Sequence, residues 1–218
     1  MISLEKYKKL IHVDFSKSAD FINKIIKTLN LDKNSNVLDV GTGFGAMAIL
    51  LAINGLTVIT GQPKEDIDHG KNGENHGEQH EIHQQEQHEL RNHEKYSFNW
   101  EENAKTVGVE DQIKFQHLSI QKLPFPEKYF DGIFMYDTLQ HIKDKPTALN
   151  DCFRVIKPGG LICVIEWNEK SIKADYKKHG FMLDYIDPKD FLRREDIQIK
   201  THQGEYVNIF IIQKIYKE

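Results

Sequence analysis

The sequence predicts one α/β domain built on a doubly wound, mostly parallel sheet. Apolar runs at 37–40, 56–60, 130–136 and 161–166 are too short for helices, so they read as strands buried on both faces. Segments with helical spacing of apolar residues lie between them, the alternation that lays strands parallel. The first run ends in Gly41, Gly43 and Gly45, at alternate positions where the chain must turn with positive φ and start a helix at once.

Composition sets the outer limits. With 218 residues, 39% of them apolar, the chain suits a single domain over 1–218 that carries an insertion. A formal charge of −4 gives no field to hold a polyanion, so nucleic acid is not the expected partner. Residues 1–15 lack the apolar core of a secretory signal, and no apolar run reaches the roughly 20 residues that span a bilayer. Cys152 and Cys163 fit neither a zinc site nor a disulfide framework, and read as small buried residues in a reducing compartment. A cytoplasmic protein without membrane contact is expected, its oligomeric state open.

In chain order, residues 1–34 carry apolar residues at the spacing of amphipathic helices: Leu4, Tyr7, Leu10 and Ile11, then Phe21, Ile22, Ile25, Ile26 and Leu29. The first strand, the glycine turn and an apolar helix over 46–53 follow. Asn54-Gly55 stops that helix, and a β-branched second strand leads to Gln62 and Pro63. After the insertion, Trp100, Ala104 and Val107 are spaced as a helix, 113–117 alternates as a third strand and 130–136 forms a fourth, ending at Tyr136-Asp137-Thr138-Leu139-Gln140-His141-Ile142. Pro146 opens a helix that runs to Ile156 and stops at Lys157-Pro158-Gly159-Gly160. A fifth strand over 161–166 ends at Glu166, Asp187-Pro188 caps a short helix, and 197–214 reads as a hairpin turning at Gln203-Gly204.

The insertion, 64–96, differs in kind, because six of the eleven histidines fall in it among Glu, Gln, Asn and Gly. If 74–90 is helical, His76, His80 and His83 share one face at i, i+4 and i+7, a spacing for one divalent metal such as zinc or nickel. The same composition also describes a polar, solvated surface insertion that binds nothing, and both readings stay open.

The glycine corner carries an acid, Asp39, two residues before Gly41, and its G-x-G-x-G spacing departs from the G-x-G-x-x-G of dinucleotide folds. A carboxylate there repels phosphate and attracts a cation. The stretch 37–45 resembles motif I of the class I S-adenosylmethionine-dependent methyltransferases, small-molecule type 11-like, whose ligand carries an ammonium and a sulfonium. Residues 118–125, 136–142 and 154–161 resemble later motifs of that family. The resemblance implies a Rossmann-like, mixed seven-stranded sheet with one antiparallel strand from the C-terminal hairpin. It implies a cofactor site of Asp39, Gly41, Thr42, Gly43, Gly45, Gln62, Ser119, Ile120 and Tyr136. The acids usual at the ribose and adenine positions are replaced by Gln62 and Ser119, which keep hydrogen-bonding capacity without charge.

Methyl transfer from a sulfonium is an in-line displacement onto a small-molecule acceptor, needing alignment and, for a protonated acceptor, a base. Asp137 and His141 are the catalytic candidates, with Glu166 a third, since they follow strand ends where ligands of parallel sheets bind. The chain lacks the Asn-Pro-Pro-Tyr signature of amide and exocyclic-amine methylation, which argues against adenine or glutamine as acceptor. The alternative from another class is a non-catalytic or regulatory protein on the same scaffold, binding divalent metal through the histidine-rich insertion.

Overall fold

The structure, a computed structural model, describes residues 4–64, 99–180 and 183–215. Among the described residues seven strands form one sheet in the order β3-β2-β1-β4-β5-β7-β6: β1 Asn36–Val40, β2 Thr57–Gln62, β3 Ile113–His117, β4 Phe130–Tyr136, β5 Ile156–Trp167, β6 Ile197–Gln203 and β7 Val207–Lys214. The first five pair in parallel, whereas β7 runs antiparallel to both β5 and β6. This is the mixed, doubly wound sheet expected, with β7 the one reversed strand.

Strand alternation explains the two-sided burial. Val37, Phe134, Cys163, Ile165 and Ile209 face one apolar layer, and Leu38, Val40, Ile133, Met135, Val164 and Phe210 face the other. The first layer is covered by α1 Leu4–Lys8, α2 Val13–Ile26, α3 Ala46–Ile53 and α4 Trp100–Val107. The second is covered by α5 Lys145–Val155 through Ala148, Leu149, Cys152 and Phe153. α3 is nearly all apolar because it is buried all round, with residues 47–52 buried.

Local residues set the helix ends. Asn99 caps α4 through the Glu101 and Glu102 amides, Asp144 caps α5 with Pro146 in its first turn, and Gly108 closes α4 in the left-handed conformation. Two elements differ from expectation. β5 begins at Ile156 rather than Leu161, because Ile156 already pairs with Phe130 before a register shift that Gly159, at φ 79, accommodates. An eleven-residue helix, α6 Glu169–His179, follows β5, where no helix was expected. Its signals are the Asn168 cap and the left-handed Gly180, and it carries too few apolar residues for a periodic pattern.

Candidate functional site

The site grows from the turn after β1. Gly41, Gly43 and Gly45 all have positive φ (87, 46 and 74). Gly41 donates its N–H to the Gly61 carbonyl at 2.9 Å, and a Cβ on it would lie 2.5 Å from Thr138 Oγ1. A Cβ on Gly43 would meet nothing closer than 4.0 Å, so its backbone faces open space. Gly45 is glycine for another reason: a Cβ there would fall 2.5 Å from Trp100 Cβ, and the residue does not line the cleft.

Below the turn runs a buried hydroxyl chain. Thr42 Oγ1 lies 2.8 Å from Thr60 Oγ1, which donates to Asp39 Oδ2 at 2.8 Å. Asp39 is 1% exposed, and among the described residues its Oδ1 has no hydrogen-bond partner. Burial raises its pKa to about 7, opposed by the Thr60 hydroxyl. The structure therefore places Asp39 in the floor, holding the turn, and not on the cleft surface where a bound cation would touch it.

Above the floor a cleft of about 920 Å³ crosses the carboxyl ends of the parallel strands, a size suited to a small-molecule site. It brings together Gly41, Thr42, Gly43, Gln62, Ser119, Ile120, Tyr136, Asp137 and His141. Gln62 Oε1 accepts the Gly43 N–H at 2.9 Å, which leaves its amide nitrogen as donor at the end of β2. The segment bearing Ser119 and Ile120 is tied to α5. The Arg154 guanidinium binds the Leu123 and Phe125 carbonyls at 2.9 and 2.7 Å and forks onto Asp151, which accepts the Leu123 N–H at 2.6 Å.

At the β4 and β5 end, Asp137 sits at φ 51, a left-handed conformation uncommon for a residue with a side chain. Its N–H donates to the Ile165 carbonyl at 2.9 Å, and Gln140 Nε2 donates to its Oδ1. Burial raises its pKa, opposed by His141, the Trp167 indole and Gln140. Glu166 does not line the cleft; it is 2% exposed and accepts the Leu139 N–H at 2.8 Å, so its place is beneath the Leu139–His141 turn and not as a base facing an acceptor.

The N-terminal segment supplies another wall of the cleft. His12, the N-cap of α2, together with Asp14 and Phe15 lines the cleft, and the Phe15 ring meets Tyr136 edge-on with centroids 4.6 Å apart. His12 stacks on Phe44, and Asp14 pairs with Lys17 at 2.8 Å. The family resemblance implies an N-terminal segment over the acceptor pocket, but helical spacing singles out none of these three residues. His76, His80 and His83 lie outside the described residues, among which no group of three or more His, Cys, Asp or Glu is placed to hold a metal.

A family model described as a methyltransferase domain matches residues 10–202, which include every wall of the cleft. The chain belongs to this family. The class I S-adenosylmethionine-dependent methyltransferases, which motif I resembles, are therefore its relatives. The ubiquinone/menaquinone biosynthesis C-methyltransferase UbiE of Edwardsiella ictaluri is 33% identical over 88 residues, 40% of this chain and 35% of that protein. The matched stretch thus spans about a third of the length of the curated relatives. Among solved structures, one from Methanococcus maripaludis, described as an S-adenosyl-L-methionine-dependent methyltransferase, superposes with TM-score 0.61 at 17% identity, covering 98% of this chain and 93% of that one. The [4+2]-cyclase SpnF superposes with TM-score 0.59 at 16% identity, covering 93% and 84%. At these identities the structural likeness shows the fold alone.

Proposed function

We propose that the cleft binds S-adenosylmethionine across the ends of β1, β2 and β3 and delivers its methyl group to a small-molecule acceptor held at the β4 and β5 end. The observation that carries this is the open Gly43 backbone at the centre of the cleft, flanked by Gln62 on one side and Tyr136 and Asp137 on the other. The donor set fits the ligand: neutral hydrogen-bonding groups at Gln62 and Ser119 for the adenosine hydroxyls and base, and buried Ile120 against the ring. Among the described residues, no cluster of basic side chains that would favour a pyrophosphate lines this end. S-adenosylmethionine supplies an electrophilic methyl on a sulfonium and leaves as S-adenosylhomocysteine.

The chain's own contribution is placement and proton handling. Holding two reactants aligned is worth roughly 7–11 kcal/mol of a barrier, so an unreactive protein wall can account for much of the rate. Asp137, its pKa raised by burial, is the group to take a proton from the acceptor, because a carboxyl closer to neutrality is the better base. His141, exposed on the same wall, is the second candidate. Phe15, Tyr136 and Trp167 give the acceptor an aromatic enclosure.

Calorimetry with S-adenosylmethionine, followed by a screen for S-adenosylhomocysteine release over phenols, quinols, amines and carboxylic acids, tests the reading. Micromolar binding without added metal and release that depends on one acceptor class are expected. Binding without release from any class would favour a regulatory role, and absence of binding would overturn the cofactor assignment. SpnF, a cyclase on a similar fold, makes the methyl balance the decisive measurement.

A further inference from the structure

We propose that Glu166 is the positioning residue of the acceptor end: it sets the Leu139–His141 turn from beneath, so that Gln140 and His141 are presented to Asp137. The inference rests on the methyl-transfer reading of the cleft. Glu166 lies near the end of β5, is 2% exposed and is absent from the cleft wall, so it touches no ligand. Burying a carboxyl is costly unless it is hydrogen-bonded, and its partners here are all backbone. Its Oε1 accepts the Leu139 N–H at 2.8 Å, and the Gln140 and Thr138 amides also act on the same carboxyl. These are donors at the start of a one-turn helix, which such a short turn cannot satisfy within itself.

The turn in its place governs Asp137. The Gln140 side chain donates to Asp137 Oδ1, and His141 stands on the same wall. A non-glycine residue at φ 51 persists only where its surroundings over-determine it. Two adjacent residues of β5 do this, the Ile165 carbonyl by accepting the Asp137 N–H at 2.9 Å and the Glu166 carboxyl by holding the turn. The strand therefore fixes the reacting wall by one direct bond and one relayed through Leu139 and Gln140.

The test compares the full-length protein with Glu166→Ala, Glu166→Gln and Gln140→Ala. It measures amide exchange at Leu139 and Gln140, S-adenosylhomocysteine affinity by calorimetry, and kcat and KM with the acceptor class found above. Glu166→Ala should speed both amides by about tenfold or more. It should lower kcat by about a hundredfold while leaving S-adenosylhomocysteine affinity within about threefold. Glu166→Gln keeps an acceptor oxygen and should rescue both exchange protection and kcat. Gln140→Ala, at a half-buried site that does not threaten folding, should lower kcat with Leu139 protection intact, and so reads the relay even if Glu166→Ala fails to fold. Unchanged exchange in Glu166→Ala, a parallel loss of cofactor affinity, or Glu166→Gln as damaging as Glu166→Ala would each overturn the proposal. If the unmodified protein binds no S-adenosylhomocysteine, the failure belongs to the cleft reading and not to Glu166.

Discussion

Restoring a carboxylate at the end of β2 by Gln62→Glu should tighten cofactor binding. The introduced carboxylate would keep the acceptor oxygen that now takes the Gly43 N–H at 2.9 Å, so the glycine turn is not disturbed, and its second oxygen would replace a neutral amide nitrogen facing the cleft. Hydrogen bonds to charged groups are worth about 1.5–3 kcal/mol against about 0.5–1.5 for neutral pairs. The difference of about 1 kcal/mol is reduced by water at this half-exposed position, giving a gain of about two- to fivefold in Kd. Calorimetry with both S-adenosylmethionine and S-adenosylhomocysteine separates the causes. A gain shared by the two ligands is expected, because they have the same ribose. A gain confined to the sulfonium compound would mean simple charge attraction, and unchanged or weaker binding of both would refute the assignment of this strand end to the ribose.

Gly41→Ala should cost about 1–3 kcal/mol of stability by denaturant unfolding, since it combines left-handed strain with a Cβ only 2.5 Å from Thr138 Oγ1. Stability should fall as pH rises. Folded Asp39 holds its proton to about pH 7 against an ordinary 3.8, and Glu166 to about 8 against 4.5, so between those values the folded state binds more protons than the unfolded one. Melting curves from pH 4 to 9 should show the decline, and Asp39→Asn should flatten its lower part, up to about pH 7, while leaving the part due to Glu166; an unaltered profile would exclude Asp39 as its source. Cys152 and Cys163, both buried with thiol pKa values raised by that burial, should react with a thiol reagent only in denaturant.

Much of the scaffold was legible because its signals are local. Val37 to Gly45 declare strand, turn and helix by their own side chains, and Pro146, which opens α5, and Gly108, which closes α4, act within one turn of where they stand. Asp137 was legible as a strand end in a parallel sheet, and Gln62, Ser119 and Tyr136 through the family resemblance, which places them in the cleft they line. What depended on depth was not. Asp39 reads as a surface acid until the sheet and the N-terminal helices enclose it, and Tyr7, buried beneath and bonded through its hydroxyl to the Ala46 carbonyl, carries no sign of that role in its neighbours. Glu166 likewise looks like a base from its place at a strand end, and only the Leu139 turn lying over it shows otherwise. That the N-terminal helices cover the pocket follows from the family resemblance, but His12, Asp14 and Phe15 as the residues that do so do not, because helical spacing gives no hint of which turn of the segment meets a strand end.

Two stretches far apart in sequence fasten on the glycine turn: the end of β2, through Gln62 on the Gly43 N–H, and the start of α4, through Trp100 against Gly45. With a Cβ at Gly45 only 2.5 Å from Trp100 Cβ, any larger residue there would push α4 off the sheet as well as distort the turn. The corner therefore resists change at Gly45 for a packing reason that is separate from its openness at Gly43.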